Sequence, residues 1–122
     1  MALRVMVVDD ALFMRNLLKE IFIRAGYEIV AEAENGEAVL DLYRQTRPDL
    51  VTMDIVMPKR SGIQALQNII AEHAEACVVM VSALGQDSLV LEAVESGARD
   101  FIVKPFKEEK VLEVVNRVTG QI

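Results

Sequence analysis

Residues 3–10 read LRVMVVDD, an apolar run that ends in two carboxylates. The same arrangement, an apolar run followed by a polar or charged side chain, recurs at residues 49–54 (DLVTMD), 77–82 (CVVMVS) and 100–105 (DFIVKP). Near-continuous apolar runs are typical of strands that are buried on both faces of a parallel sheet. Because the carboxyl ends of parallel strands meet at one edge, where ligands bind, we expect the polar groups of these four segments to converge.

Strand and helix patterns alternate from one end of the chain to the other. The predicted strands cover residues 3–8, 28–33, 49–53, 77–82 and 100–103. Between them apolar residues recur at helical spacing, as Met14, Leu17, Leu18 and Ile21 do. The repeating pattern predicts five βα units, and hence an α/β fold in which helices cover both faces of a parallel sheet. No linker-like segment interrupts it, so a single domain is expected over residues 1–122.

The composition argues against several classes of function. Hydrophobic residues make up 52% of the 122 residues, which is enough for one core. The net charge of -6 and the lack of a Lys/Arg run argue against direct contact with nucleic acid. Cys77 is the only cysteine, so a reducing compartment is permitted. No apolar run approaches the roughly 20 residues of a membrane span, and a cytoplasmic protein without membrane insertion is expected.

An acidic pocket is predicted where the first and third strands end. If these strands are neighbours, Asp9, Asp10 and Asp54 lie close together, and each like-charge pair at ~4 Å costs about 4 kcal/mol at an effective dielectric of ~20. Such a cluster has to bind protons or cations, and an all-oxygen ligand set suits Mg²⁺. Alternatively, Asp9 and Asp10 cap the first helix and Asp54 begins a turn. The further presence of Ser82 and Lys104 at strand ends favours a ligand site.

Several segments resemble the signature segments of response-regulator receiver domains. These are VVDD at 7–10, MDIVMP at 53–58, VSA at 81–83 and FIVKPF at 101–106, in the family's order and spacing. VDDALFMR and FIVKPF are similar to the single-domain chemotaxis (CheY-like) branch of the family. The resemblance covers essentially the whole chain. It implies a doubly wound (βα)5 sheet with the flavodoxin-like strand order 2-1-3-4-5, in which strands 1 and 3 are neighbours.

The resemblance also implies a phosphoacceptor and a metal site. Asp54 matches the carboxylate that attacks phosphorus to give an aspartyl phosphate. Asp10 and Asp54 would bind Mg²⁺ directly, together with the backbone carbonyl of Val56. Asp9 would reach the ion through a water molecule or hydrogen-bond to another of its ligands. Mg²⁺ is the only cofactor that the resemblance implies.

Three further residues match positions that act on the phosphoryl group or report its presence. Lys104 would pair with one phosphoryl oxygen, and Ser82 would donate a hydrogen bond to another. Ser82 and Phe101 match the two switch positions of the family, where a hydroxyl moves toward the phosphoryl group and an aromatic ring turns inward. The resemblance further implies a cis peptide bond between Lys104 and Pro105, which aims the ammonium group into the pocket.

The function implied by the resemblance is that of a phosphorylation-activated switch in a two-component system. A sensor histidine kinase would supply the phosphoryl group, and an output protein such as a flagellar motor switch component would bind the activated form. A separate phosphatase could end the signal. The chain itself would catalyse only its own phosphorylation and dephosphorylation. It carries no kinase motif, and its one histidine, His73, is expected to be solvated or to cap a helix.

Other classes of protein are weighed against this interpretation. The chain could be the receiver half of a multidomain response regulator such as a transcription factor. Many DNA-binding regulators of one large class have an Asp-Asp pair at the start of strand 5, where this chain has Arg99-Asp100, and arginines in helix 5, where it has only Arg117. A haloacid-dehalogenase-type phosphatase would need Asp-x-Asp after strand 1, and a flavodoxin would need a Ser/Thr/Gly-rich loop there. A nucleotide P-loop motif is absent.

Overall fold

A computed structural model describes residues 2–120 and contains one parallel sheet with helices on both faces. The strands are Arg4–Val8 (β1), Glu28–Ala33 (β2), Leu50–Asp54 (β3), Val78–Ala83 (β4) and Asp100–Lys104 (β5). The helices are Leu12–Arg24 (α1), Val39–Thr46 (α2), Gly62–Glu72 (α3), Asp87–Glu95 (α4) and Glu108–Thr119 (α5). Each observed strand boundary lies within one residue of its predicted position. The ends of the predicted single domain, residues 1, 121 and 122, lie outside the described residues.

The strand order is β2-β1-β3-β4-β5, and all four neighbouring pairs are parallel. Both the fold class and the order 2-1-3-4-5 are therefore confirmed. Successive strands can be parallel only if the chain crosses back over the sheet, and α1, α2, α3 and α4 provide the four crossovers. The order reverses between β1 and β3, which leaves a crevice at their carboxyl ends where ligands bind in folds of this kind.

Two apolar layers form, one on each face of the sheet. The layer shared with α2, α3 and α4 contains Met6, Met53 and Met80 from the central strands. The layer shared with α1 and α5 contains Val7 and Leu50. Successive side chains of a strand point to opposite faces, so both sets of alternate residues must be apolar. This double burial explains why the central strands appear in the sequence as continuous apolar runs.

The helix ends follow local rules that the sequence displays. Gly26 and Gly97 directly follow the C-cap residues of α1 and α4 and have φ values of 88° and 114°. Glycine adopts this left-handed conformation without a steric penalty. The start of α3 has a capping box, in which Ser61 and Gln64 satisfy each other's backbone N–H groups. His73 was expected to be solvated or to cap a helix, and it is the C-cap of α3. It is buried rather than solvated, and its ring centroid lies 4.8 Å from that of Tyr43.

Across residues 2–120, the helices are all too short or too polar to cross a bilayer. The longest of those given above, α1, has 13 residues.

Candidate functional site

The ends of β1 and β3 bring three carboxylates together. Val8 pairs with Met53, so Asp9 and Asp54 follow as neighbours at the same edge of the sheet. One carboxylate oxygen of each of Asp9, Asp10 and Asp54 can be chosen such that all three lie within 4.8 Å of one another. Asp9 and Asp54 are buried, whereas Asp10 is exposed. The sheet order therefore places the predicted acidic cluster where the sequence located it.

Lys104 reaches this cluster from the edge of the sheet. It is the last residue of β5, which lies two strands away from β3 and hence about 10 Å from it. Its long side chain spans that gap, and the Nζ atom lies 3.2 Å from Asp9 Oδ2 and 3.3 Å from Asp54 Oδ2. The peptide bond that follows, Lys104–Pro105, is cis, as expected. One ammonium group thus bridges two carboxylates.

The charges in this cluster are only partly balanced. Burial, together with the charge of Asp9, raises the pKa of the Asp54 carboxyl above its usual value, although Lys104 acts in the opposite direction. For Lys104 itself, burial alone would lower the pKa, but the charges of Asp54 and Asp9 outweigh it and raise the pKa. A second cation would relieve the remaining repulsion among the carboxylates. Hard divalent cations prefer the all-oxygen ligand set that these three residues offer.

Ser82 contributes a hydroxyl without a partner. Its Oγ atom is fully buried, and it has no hydrogen bond to any residue in the range 2–120. Buried polar groups are nearly always hydrogen-bonded, so such an atom calls for an explanation. Ser82 pairs with Val103 on β5, one residue before Lys104, which places it beside the acidic cluster. An oxygen atom of a bound group at this edge would give the hydroxyl its missing partner.

Ser82 also lines an apolar pocket of about 360 Å³ between α4 and β5. Phe101, 38% exposed, contributes to the same pocket. The pocket is further lined by Leu84, Val90, Leu91, Val94 and Val103. Ser82 and Phe101, which the sequence analysis pairs as switch residues, therefore line the same pocket.

The alternative that Asp9 and Asp10 cap the first helix is only partly supported. The N-cap of α1 is Ala11, and no side chain caps that helix. Asp9 Oδ1 does accept a hydrogen bond from the Ala11 N–H at 2.9 Å. None of the residues described donates a comparable bond to the Asp10 carboxylate. Asp54 ends β3 rather than beginning a turn. The Asp10 carboxylate is therefore available for another purpose, whereas that of Asp54 already pairs with Lys104.

Comparison with known proteins identifies the family. A family model described as the response regulator receiver domain matches residues 5–116. The chain belongs to the response-regulator receiver family. The chemotaxis protein CheY of Bacillus subtilis is 51% identical over 117 residues, which cover 96% of this chain and 98% of that protein. Protein CcdB of the same organism is 56% identical over the same shares of both chains.

A solved receiver has the same fold. The crystal structure of a CheX–CheY complex from Borrelia burgdorferi, with BeF3 and Mg²⁺, matches with a TM-score of 0.89 and 42% identity, covering 95% of this chain and 88% of that one. Receivers of this kind are phosphorylation-activated signalling switches, and this receiver's relatives act in chemotaxis. Receivers bind Mg²⁺ at an acidic cluster of aspartates, and Asp9, Asp10 and Asp54 form such a cluster in this chain.

Two residues of the receiver site escaped the sequence analysis. Arg15 is buried and donates a hydrogen bond to the backbone carbonyl of Asp9 at 2.7 Å. The spacing of the sequence could have indicated that Arg15 is buried. Arg15 precedes Leu18 by three residues and Phe22 by seven, and it therefore lies on the same inward face of α1. Gly62 packs directly on the backbone of Asp54, a close approach that only the folded chain shows.

Proposed function

We propose that this receiver accepts a phosphoryl group on Asp54 from a phosphohistidine of a sensor kinase. The observation that carries the proposal is the convergence of Asp54, Asp9 and Lys104 next to the partnerless hydroxyl of Ser82. The Lys104 Nζ atom lies 3.3 Å from Asp54 Oδ2 and 3.2 Å from Asp9 Oδ2. The three groups that a transferring phosphoryl group needs are a nucleophile, a balancing positive charge and a hydrogen-bond donor. All three are present at one edge of the sheet.

In the proposed transfer, an Asp54 carboxylate oxygen attacks phosphorus and a P–O bond forms while the P–N bond of the donor breaks. The electron pair of the P–N bond stays on the donor ring, which leaves as neutral imidazole if its other nitrogen carries a proton. The transition state is loose, so the protein contributes position and charge rather than covalent help. Hydrolysis returns Asp54 to its unphosphorylated form. Water attacks phosphorus, inorganic phosphate is released, and the free Asp54 carboxylate is regenerated.

The proposed metal ligands are the carboxylates of Asp10 and Asp54 and the backbone carbonyl of Val56, with Asp9 acting through water or through another ligand. The mutual proximity of the three carboxylates, and the excess of negative charge that Lys104 leaves, support this set. A bound Mg²⁺ would neutralise charge on the phosphoryl oxygens. Lys104 would exchange its contact with Asp54 for one with a phosphoryl oxygen.

The proposed switch uses Ser82 and Phe101. The Ser82 hydroxyl would donate to a phosphoryl oxygen and draw the following residues, Ala83 and Leu84, toward the site. Phe101 could then turn into the pocket between α4 and β5. The test is backbone amide NMR with BeF3 and Mg²⁺ as the phosphoryl mimic. Wild-type resonances of β5 should shift, whereas Ser82→Ala should keep the shifts near Asp54 and lose those near Phe101. Equal shifts at Phe101 in both proteins would refute the coupling.

The proposed partners are a sensor histidine kinase and an output protein such as a flagellar motor switch component. The chemotaxis relatives support this assignment. A separate phosphatase is also proposed, and the CheX–CheY complex shows that one relative binds a second protein.

The net charge of -6 disfavours direct nucleic-acid contact. We place the protein, as one receiver domain over residues 1–122, in the cytoplasm, without membrane insertion, where its single cysteine would stay reduced.

The proposed metal and phosphoryl chemistry is tested with acetyl phosphate as the donor. Wild-type protein should be phosphorylated with Mg²⁺ and not with an excess of EDTA. Asp10→Asn keeps the size of the side chain but removes a charged ligand, so its phosphorylation should no longer respond to the Mg²⁺ concentration. If Asp10→Asn responds to Mg²⁺ as wild type does, Asp10 is not a ligand.

A further inference from the structure

One arginine of α1 is buried beside the acidic cluster. Arg15 is 9% exposed, while the other buried side chains of that helix, Leu18, Ile21 and Phe22, are apolar. Burying a guanidinium group is costly unless it is fully paired. The contacts that offset this cost therefore indicate what the residue does.

Arg15 links the end of β1 to β2. Its Nη1 atom donates to the backbone carbonyl oxygen of Asp9 at 2.7 Å, and its Nε atom donates to Glu32 Oε1 at 2.9 Å. The other carboxylate oxygen of Glu32 accepts from Lys19 Nζ at 2.8 Å. The hydrogen bond from Lys19, and then that from Arg15, lower the pKa of Glu32 although burial opposes them. Glu32 is thus a charged anchor for the guanidinium fork at neutral pH.

The position of Asp10 depends on the backbone that Arg15 holds. Asp9 is fixed through its own groups, since its N–H donates to the Ala33 carbonyl and its carboxylate accepts from Ala11 and Lys104. Asp10 is exposed, and no residue in the range 2–120 donates a hydrogen bond to its carboxylate. The Asp9 carbonyl belongs to the rigid peptide plane that leads into Asp10. Fixing that carbonyl fixes the position of the Asp10 Cα atom and so restricts where the Asp10 side chain can lie.

We propose that Arg15, anchored by Glu32, is a positioning residue that orients the Asp9–Asp10 peptide bond and so directs the Asp10 carboxylate toward those of Asp9 and Asp54. This inference rests on the proposed Mg²⁺ site. Residues that orient metal ligands without touching the metal strongly affect affinity, because a ligand held in place need not be ordered when the metal binds. A purely structural role, in which Arg15 only ties α1 to β2, would change stability and leave Mg²⁺ affinity intact.

The test is isothermal titration of the full chain with Mg²⁺ alone, so that the readout does not depend on phosphorylation. Arg15→Met keeps a long apolar side chain and removes the guanidinium group with its two hydrogen bonds. Arg15→Lys keeps a charge, but a single ammonium group does not reproduce the two parallel donors. Lys19→Met is the matched control, because it removes the other partner of Glu32 and leaves the contact between Arg15 and Asp9 in place. Circular dichroism establishes that each variant is folded.

We expect the Kd for Mg²⁺ to rise about 10-fold in Arg15→Met, by a smaller factor in Arg15→Lys, and not at all in Lys19→Met. Wild-type affinity in the Arg15 variants, or an equal loss in Lys19→Met, would overturn the inference. If Arg15→Met does not fold, Arg15→Lys decides alone. Asp10→Asn separates the two proposals: if it binds Mg²⁺ as tightly as wild type, or if wild type binds none, the proposed metal site itself is wrong.

Discussion

Gly62 lies so close to Asp54 that it cannot carry a side chain without moving the backbone. A Cβ atom built on Gly62 would lie 2.0 Å from the Asp54 carbonyl oxygen and 2.9 Å from the carbonyl carbon. The Gly62 N–H donates to the Ile55 carbonyl at 2.8 Å, which holds the start of α3 against the end of β3. The proposed phosphoacceptor is therefore supported from behind by the first turn of a helix.

Gly62→Ala should consequently destabilise the protein and weaken Mg²⁺ binding at Asp54. Overpacking of this kind costs about 1–3 kcal/mol and occasionally more. Gly26→Ala is the control, because Gly26 has a left-handed φ of 88° but open space around it, so only the conformational cost of about 1–2 kcal/mol applies. Urea unfolding gives both free energies. Mg²⁺ affinity should fall in Gly62→Ala only, and an equal effect of the two substitutions on that affinity would argue against the close contact being important.

Lys104→Met should slow phosphorylation by acetyl phosphate by about 10²-fold, the usual cost of removing one group that balances charge in the transition state. Methionine keeps an unbranched apolar chain and removes the ammonium group that lies 3.3 Å from Asp54. Lys110→Met is the matched control, since Lys110 is exposed and pairs with Glu113. The measured quantity is the initial rate at fixed Mg²⁺ concentration. A rate equal to that of wild type would show that Lys104 does not assist the transfer.

Val56 and Leu84, two residues after Asp54 and Ser82, are 54% and 78% exposed. Neither can hydrogen-bond to a water molecule that attacks the aspartyl phosphate, so we expect slow intrinsic dephosphorylation. Val56→Asn should therefore accelerate the decay of phosphorylated Asp54. A positioned general base typically accelerates a reaction by roughly 10²-fold, and the effect here should be smaller because water already reaches the site. Val56→Ala tests whether space alone matters. Acceleration by Ala as large as by Asn would exclude a hydrogen-bonding role.

A pH effect is expected where α2 meets α3. Arg44 donates two hydrogen bonds to Glu72 and, with a smaller contribution from His73, lowers the pKa of Glu72 from 4.5 to about 2. A carboxyl whose pKa is depressed on folding stabilises the protein above its unfolded pKa, and this stabilisation disappears as the pH falls from about 4.5 through about 2. The pair is exposed, so the effect should be small.

Glu72→Gln should therefore lose less stability than wild type as the pH falls across that window. Urea midpoints between neutral pH and the acid transition provide the comparison. Glu37→Gln serves as the control, because Glu37 is an exposed carboxylate that has no ion pair within residues 2–120. If wild type and Glu72→Gln show parallel midpoints over the whole range, the ion pair makes no net contribution.

The sequence predicted the elements of the fold closely because their patterns are unambiguous. The central strands are buried on both faces, so their apolar runs are continuous, and the order of the elements then places Asp9 and Asp54 at one edge. The strand order itself, and the cis bond before Pro105, came from the family resemblance rather than from the residues. Neither feature has a signal in periodicity or composition.

What the sequence did not predict depends on distances between segments far apart in the chain. Arg15 was missed because a charged residue is usually exposed. Its burial is explained by the hydrogen bonds that its guanidinium group donates to the Asp9 carbonyl and the Glu32 carboxylate. The role of Gly62 depends on the approach of α3 to β3. The missing hydrogen-bond partner of Ser82 is likewise a property of the folded interior.

The central claim is that Asp54 is the phosphoacceptor, and the most direct measurement is to locate the phosphoryl group. Wild-type protein is treated with acetyl phosphate and Mg²⁺, and the acyl phosphate is trapped by borohydride reduction, which converts the phosphorylated carboxyl group to an alcohol. Peptide mass spectrometry then identifies the reduced residue. The account predicts reduction at residue 54 alone, and none in Asp54→Asn. Reduction at another carboxylate of the wild-type protein, or an equal amount of acyl phosphate in Asp54→Asn, would contradict it.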